Sequence, residues 1–234
     1  MPKVLFITHS EAADPGNVRE CINSLGYETI CLCPMLGDKL PLISGGNPQG
    51  FDATVVFGGP QLISEDANVN YIYDEIEWIR SLVKSDSKLL GICLGAQMIA
   101  ASYGCLVGPH PEKVREIGFH NVKSLPEGQD YFNDNLLFYQ WHREGFELPK
   151  EAILLATGDT YPNQAFKVGE NVFGIQFHPE ITLETMERWI TSEKGAPQLI
   201  LPGAQSAREQ RKLAKKCIRD MKLWLMPFLQ KWLF

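Results

Sequence analysis

Apolar and polar positions along this 234-residue chain fall into two kinds of block. "KVLFITH" (3–9), "YETICLC" (27–33), "DATVVFGG" (52–59) and "KLLGI" (88–92) are short apolar runs with polar or glycine-rich flanks, the pattern of strands buried on both faces. Helical signals lie between them. "DPGNVRECINSLG" (14–26) has Asp14 and Pro15 as start signals and Gly26 as a stop. "NYIYDEIEWIRSLVK" (70–84) places Tyr71, Glu75/Ile76, Ile79 and Leu82/Val83 at helical spacing, and "GAQMIAASYG" (95–104) reads as a helix ending near Gly104. The stretch 34–50, rich in Pro and Gly, is expected to be a loop. Beyond residue 110 the alternation stops. "VREIGFHNV", "AILLATGD", "AFKVG" and "NVFGIQFH" are strand-like with few helices between them, and "GEN" (169–171) fits a hairpin turn.

Strands alternating with helices imply an α/β fold, a mostly parallel sheet with helices on both faces, here extended by antiparallel strands. A single domain over residues 1–204 is expected. After it, "SAREQRKLAKKCIRDMKLWLMPFLQKWLF" places Leu213, Cys217, Met221, Trp224 and Phe228 at helical spacing with basic residues between them. Residues 205–234 are therefore read as a basic amphipathic helix, with Pro227 expected to end or bend it. The expected home of that helix is the acidic body of the same domain or a second copy of the chain. A membrane-surface helix and a docking helix for another subunit are the alternatives.

Charge and composition narrow the function classes. The formal net charge of -6 argues against a nucleic-acid binder. The charge is uneven: residues 205–234 hold eight Lys/Arg against two acidic residues, whereas the first 204 hold 14 basic against 26 acidic. No apolar run is long enough to span a membrane, and the start "MPKVLFITHS" turns polar too quickly for a secretory signal, so a cytoplasmic location is expected. The six cysteines lack paired C-x-x-C spacing, so neither a disulfide scaffold nor a metal site is expected.

Cys93 stands apart from the other five. It sits between the apolar run "LLGI" and a helix-like run, flanked by Gly91 and Gly95. At a helix N-terminus its sulfur would meet unpaired N–H groups, which favour thiolate. The glycines suit a sharp strand-to-helix turn, a G-x-C-x-G counterpart of the hydrolase G-x-S-x-G elbow. In "GIQFHPE" (174–180), His178 ends an apolar run, and an extended chain would project Glu180 to the same side, where it could orient the imidazole. In "VFGGP" (56–60), Gly58 and Gly59 end another strand, and the N–H of Gly59 with that of Leu94 could bind an oxyanion. Each piece alone also fits a packing or turn residue. All three lie at the C-terminal ends of expected strands, where open α/β sheets carry their sites.

In this order and at these separations, "GGP", "GICLGAQMIA" and "GIQFHPE" resemble the class I glutamine amidotransferase domain. The resemblance is to stand-alone proteins similar to the glutaminase half of GMP synthetase. "GDKLP", "EIGFHNV", "QWHREGFELP" and "PNQAFKVGENVFGIQFHPEIT" extend it over most of residues 1–190. It implies a flavodoxin-like sheet and a Cys93–His178–Glu180 triad, working through a γ-glutamyl thioester without metal or cofactor. It further implies an oxyanion hole from Gly59 and Leu94, Gln97 in the substrate pocket and a pocket wall around His142, which could equally be a structural histidine. Ala96 stands where many members have His. No synthetase domain is expected after the triad, so ammonia would pass to water or to a separate synthetase partner. The implied activity is glutamine amidohydrolysis. A γ-glutamyl peptidase and a non-catalytic regulatory protein are the alternatives.

Overall fold

The computed structural model describes residues 1–66, 69–132 and 136–234. Its central sheet has nine strands: β1 (Lys3–Ile7), β2 (Glu28–Leu32), β3 (Ala53–Val56), β4 (Leu89–Ile92), β5 (Glu116–Ser124), β6 (Leu136–His142), β7 (Ile153–Thr157), β8 (Ala165–Val168) and β9 (Val172–Ile175). They lie in the order β2-β1-β3-β4-β9-β8-β7-β5-β6. The five strands from β2 to β9 pair in parallel, and the remaining four extend the sheet antiparallel. The expected hairpin at 169–171 joins β8 to β9, with Val168 opposite Val172.

Alternation along β1 divides the core. Val4 and Phe6 face one layer, with α1 (Gly16–Ser24) and the C-terminal helix; Leu5 and Ile7 face the other, with α2 (Asn70–Lys84) and α3 (Leu94–Ser102). Both faces of the parallel strands are covered, which is why those segments read as unbroken apolar runs. The stretch 34–50 is irregular apart from a single 3-10 turn, Pro34–Leu36, and a two-residue pairing of Ile43–Ser44 with Asn47–Pro48. Another short ladder pairs Val107–Pro109 with Glu144–Phe146.

Besides short pieces of two to five residues, β6 and α4 (Leu183–Thr191) went unread in the sequence. Pro227 does not end the last helix, α5, which runs Ala207–Leu233. Proline removes one N–H and so frees the carbonyl one turn earlier, on Leu223. Leu223 and Pro227 are both exposed, which leaves that carbonyl to water, while Phe228, Leu229, Trp232 and Leu233 beyond it are buried.

The start of α5 carries a capping box: the Glu209 N–H donates to Ser206 Oγ, and the Ser206 N–H donates to Glu209 Oε2 at 2.8 Å. Its apolar face packs on the body, with the Trp224 ring among Phe132, Phe138, Phe177 and Phe228. Among the described residues, no helix is long and apolar enough to cross a membrane.

Candidate active site

Four neighbouring strands deliver their C-terminal ends to one rim. Because β1, β3, β4 and β9 are parallel and adjacent, His9, Gly58–Gly59, Cys93 and His178 all emerge on the same side of the sheet. Cys93 occupies the turn between β4 and α3. Its backbone has φ 52° and ψ -104°, a conformation that costs a non-glycine residue of order 1–3 kcal/mol. The surroundings enforce it. Cys93 N–H donates to Ile175 O at 2.8 Å, and Cys93 O accepts from Gln97 N–H at 3.1 Å. A Cβ on Gly95 would strike the Val56 carbonyl, and one on Gly91 would lie 2.5 Å from the Gly95 carbonyl carbon. These two glycines let the turn close against its neighbouring strands.

His178 comes off β9 and is held by its own N–H, which donates to Tyr139 O at 2.8 Å. Its Nδ1 donates to Glu180 Oε1 at 2.7 Å, with both side chains buried. Nε2 has no hydrogen-bond partner among the described residues. Gly58 packs against both the ring and the cysteine: a Cβ there would lie 2.7 Å from His178 Cε1 and 3.5 Å from Cys93 Cβ. Imidazole and thiol thus flank one point.

Burial opposes charge on the His178 ring, but the Glu180 carboxylate and Cys93 more than offset it, and the imidazole pKa is pushed up from 6.5 to about 10. Trp189 on α4 packs edge-on against the same ring, with centroids 5.1 Å apart. The N-terminus of α1 secures Glu180: Asn17 N–H donates to Glu180 O at 3.0 Å, and the Asn17 amide donates to Ile181 O at 2.6 Å.

The oxyanion candidates also meet. A Cβ on Gly59 would lie 3.0 Å from Leu94 Cδ2, so the two residues adjoin beside Cys93. Leu94 is the first residue of α3, and its N–H has no acceptor within the helix. Gln97, one turn after Cys93, donates from Nε2 to Glu144 O at 3.0 Å and to Gln176 Oε1 at 3.3 Å.

His142 stands in a network of its own. Nε2 bonds to Glu116 Oε2 and Nδ1 to Glu144 O, both at 3.0 Å, which occupies both ring nitrogens. Burial alone would raise the Glu116 carboxyl, but bonds from His142 and Gln164 carry it below its ordinary value. His142 is thus left without a free ring nitrogen, and the Glu144 carbonyl it meets also accepts from Gln97. Among the described residues, no group of three His, Cys, Asp or Glu side chains could hold a metal ion.

Sequence reasoning missed His9, Gln176 and Trp189. His9 ends the first apolar run at the same rim as the other site residues, and Gln176 sits two residues before His178 on one strand face. Those positions were the available signals.

Comparison with known proteins shows the family. The family model for glutamine amidotransferase class-I matches residues 17–196. A putative glutamine amidotransferase-like protein, YfeJ, of Salmonella typhimurium is 30% identical over 230 residues, covering 95% of this chain and 90% of that protein. A GMP synthase (glutamine-hydrolyzing) of Cytophaga hutchinsonii is 37% identical over 107 residues, 44% of this chain and 21% of that protein. Gamma-glutamyl peptidase 3 of Arabidopsis thaliana is 30% identical over 145 residues, 58% of this chain and 57% of that one. The crystal structure of a glutamine amidotransferase from Thermotoga maritima superposes with a TM-score of 0.86 at 28% identity, covering 99% of this chain and 98% of that one. The chain belongs to the class I glutamine amidotransferase family.

Proposed function

We propose that the protein is a glutamine amidohydrolase with Cys93 as nucleophile, His178 as proton carrier and Glu180 as the group that orients it. What supports this reading is the approach of Cys93 and the His178 ring beside Gly58, with Nδ1 fixed by Glu180 at 2.7 Å and Nε2 without a partner among the described residues.

The Cys93 thiolate attacks the side-chain carboxamide carbon, forming a C–S bond. Negative charge collects on the carbonyl oxygen, which the N–H groups of Gly59 and Leu94 receive. As the C–N bond breaks, the His178 imidazolium gives its proton to the departing nitrogen, and ammonia leaves. Acylation removes the thiolate charge that had raised the imidazole pKa, so the neutral ring can take a proton from water. Hydroxide cleaves the thioester, glutamate leaves, and thiolate with imidazolium is restored. Gln97 lines the pocket, and the ammonia passes to water or to a separate synthetase.

A second reading, hydrolysis of γ-glutamyl peptides or conjugates, is favoured by the similarity to gamma-glutamyl peptidase 3. It uses the same residues with an amine in place of ammonia. Purified protein is incubated with glutamine and with γ-glutamyl peptides beside Cys93→Ala. Glutamate release lost by at least about 10³-fold in the variant is expected. Equal release by the two proteins would remove the assignment, and the substrate that turns over faster decides between the readings.

A further inference from the structure

Beside Gly58 and Gly59 lies a buried ionisable pair, His9 with Glu75, that the reaction above leaves unused. His9 lies two residues past β1, Glu75 sits on the inward face of α2, and both side chains are 0% exposed. His9 Nε2 lies 3.0 Å from Glu75 Oε1, and His9 Nδ1 lies 3.4 Å from the carbonyl oxygen of Gly58. Both partners present acceptor oxygens, whereas a neutral imidazole has a single N–H. For both contacts to be hydrogen bonds, the pair must hold two protons. These make it imidazolium with carboxylate, or an Nδ1–H imidazole with a carboxylic acid that donates to Nε2. In either form Nδ1 donates to Gly58.

The Gly58 carbonyl and the Gly59 N–H are two ends of one planar trans peptide, so they point in opposite directions. Holding the carbonyl on His9 aims the N–H away from His9. Packing agrees: a Cβ on Gly59 would lie 2.5 Å from His9 Cβ, while one on Gly58 would lie against His178 and Cys93. The turn is thus clamped between His9 on one side and the thiol–imidazole pair on the other. Between two glycines, little steric resistance opposes a peptide flip. Gln61, just past the turn, donates to His9 O at 3.1 Å and to the Tyr71 hydroxyl at 2.9 Å, tying the same segment to β1 and α2.

We infer that the buried His9–Glu75 pair positions the oxyanion hole, by holding the Gly58 carbonyl so that the Gly59 N–H is presented to the developing oxyanion. This rests on the oxyanion role given to Gly59 under the proposed function. His9 and Glu75 are positioning residues: they touch neither substrate nor the reacting atoms.

His9→Gln tests it. Glutamine can still donate to Glu75 from the Nε2 position but leaves the Gly58 carbonyl without its donor. The kcat for glutamate release is expected to fall about 10- to 100-fold, with KM within about twofold of wild type. Alkylation of Cys93 by iodoacetamide, a reaction that builds no oxyanion, is expected to keep its wild-type rate. The double variant His9→Asn with Glu75→Gln returns a donor at the Nδ1 position without stranding a buried carboxylate, and is expected to recover kcat.

If His9→Gln does not fold, His9→Leu with Glu75→Leu removes the donor while leaving no orphaned polar group, and the same kcat loss is expected. Folded His9→Gln or the double leucine variant with wild-type kcat would overturn the inference, as would equal losses in turnover and alkylation. Wild-type protein that releases no glutamate from any γ-glutamyl substrate would overturn the functional reading, and this inference with it.

Discussion

At Cys93 and His178, local backbone strain and buried charge have one cause, the close approach of β3, β4 and β9 at their C-terminal ends. The positive φ of Cys93 lifts its side chain off the strand, and the glycines at 58, 91 and 95 leave no Cβ to hold the neighbouring segments apart. The imidazole is enclosed by Glu180, Cys93 and Trp189, so its proton is stabilised more by the folded protein than by water. The sign of the resulting linkage follows. A group whose pKa rises on folding, here from 6.5 to about 10, contributes stability in full below pH 6.5. That contribution drains away as pH climbs through 10. Melting temperature measured from pH 6 to 10.5 is expected to fall more steeply in wild type than in His178→Gln, which lacks the titrating group. Parallel curves for the two proteins would show that the imidazole gains no proton affinity on folding.

Among the elements, α1 and α4 hold the His178–Glu180 segment from two sides. Asp14 Oδ2 accepts from the Thr185 hydroxyl at 3.0 Å, and Asn17 takes the backbone beside Glu180, so the start of α1 grips the start of α4. Thr182 caps α4, its Oγ1 accepting from Thr185 N–H at 3.1 Å. Thr182→Ala is expected to cost about 1 kcal/mol of unfolding free energy, read from urea denaturation. No change in midpoint would mean that the cap is redundant with the Asp14 contact.

Neither α4 nor β6 was legible in the sequence, and the reasons differ. The helix follows Thr182, a single capping residue, with neither a proline in its first turn nor a glycine directly after its end. The strand "LLFYQWH" carries Gln140 and His142 inward, where Gln140 donates to Gln164 and His142 meets Glu116, so its polarity contradicts its burial. Strands β1, β3, β4 and β9 were legible because helices cover both of their faces, and with them came Gly58, Cys93 and His178 at the rim. The role of His9 depends on Glu75, 66 residues away, and no local pattern could announce that pairing.

For the molecule as a whole, the C-terminal helix backs the strand end that carries His178. It turns Met221, Trp224, Leu225, Phe228 and Leu229 inward, and Trp224 packs on Phe177, the residue before His178. Two tryptophan N–H groups bond to the body, Trp224 to Tyr131 O at 2.7 Å and Trp232 to Asn171 O at 3.0 Å. The basic side faces out and meets acidic side chains there, Arg211 on Glu187 at 2.8 Å and Lys222 on Glu20 at 2.5 Å. An apolar face already seated in this way is not offered to a membrane or another subunit. Burial of each large apolar side chain contributes about 1.5–3 kcal/mol, so several together rival the whole stability of a domain, about 5–15 kcal/mol. Truncation after Gly203 is therefore expected to give protein that aggregates or unfolds without cooperativity, seen as loss of near-ultraviolet circular dichroism and of glutamate release together. A truncated protein that stays soluble, melts cooperatively and keeps wild-type turnover would show that the helix is an accessory, and would return its basic face to the list of surfaces awaiting a partner.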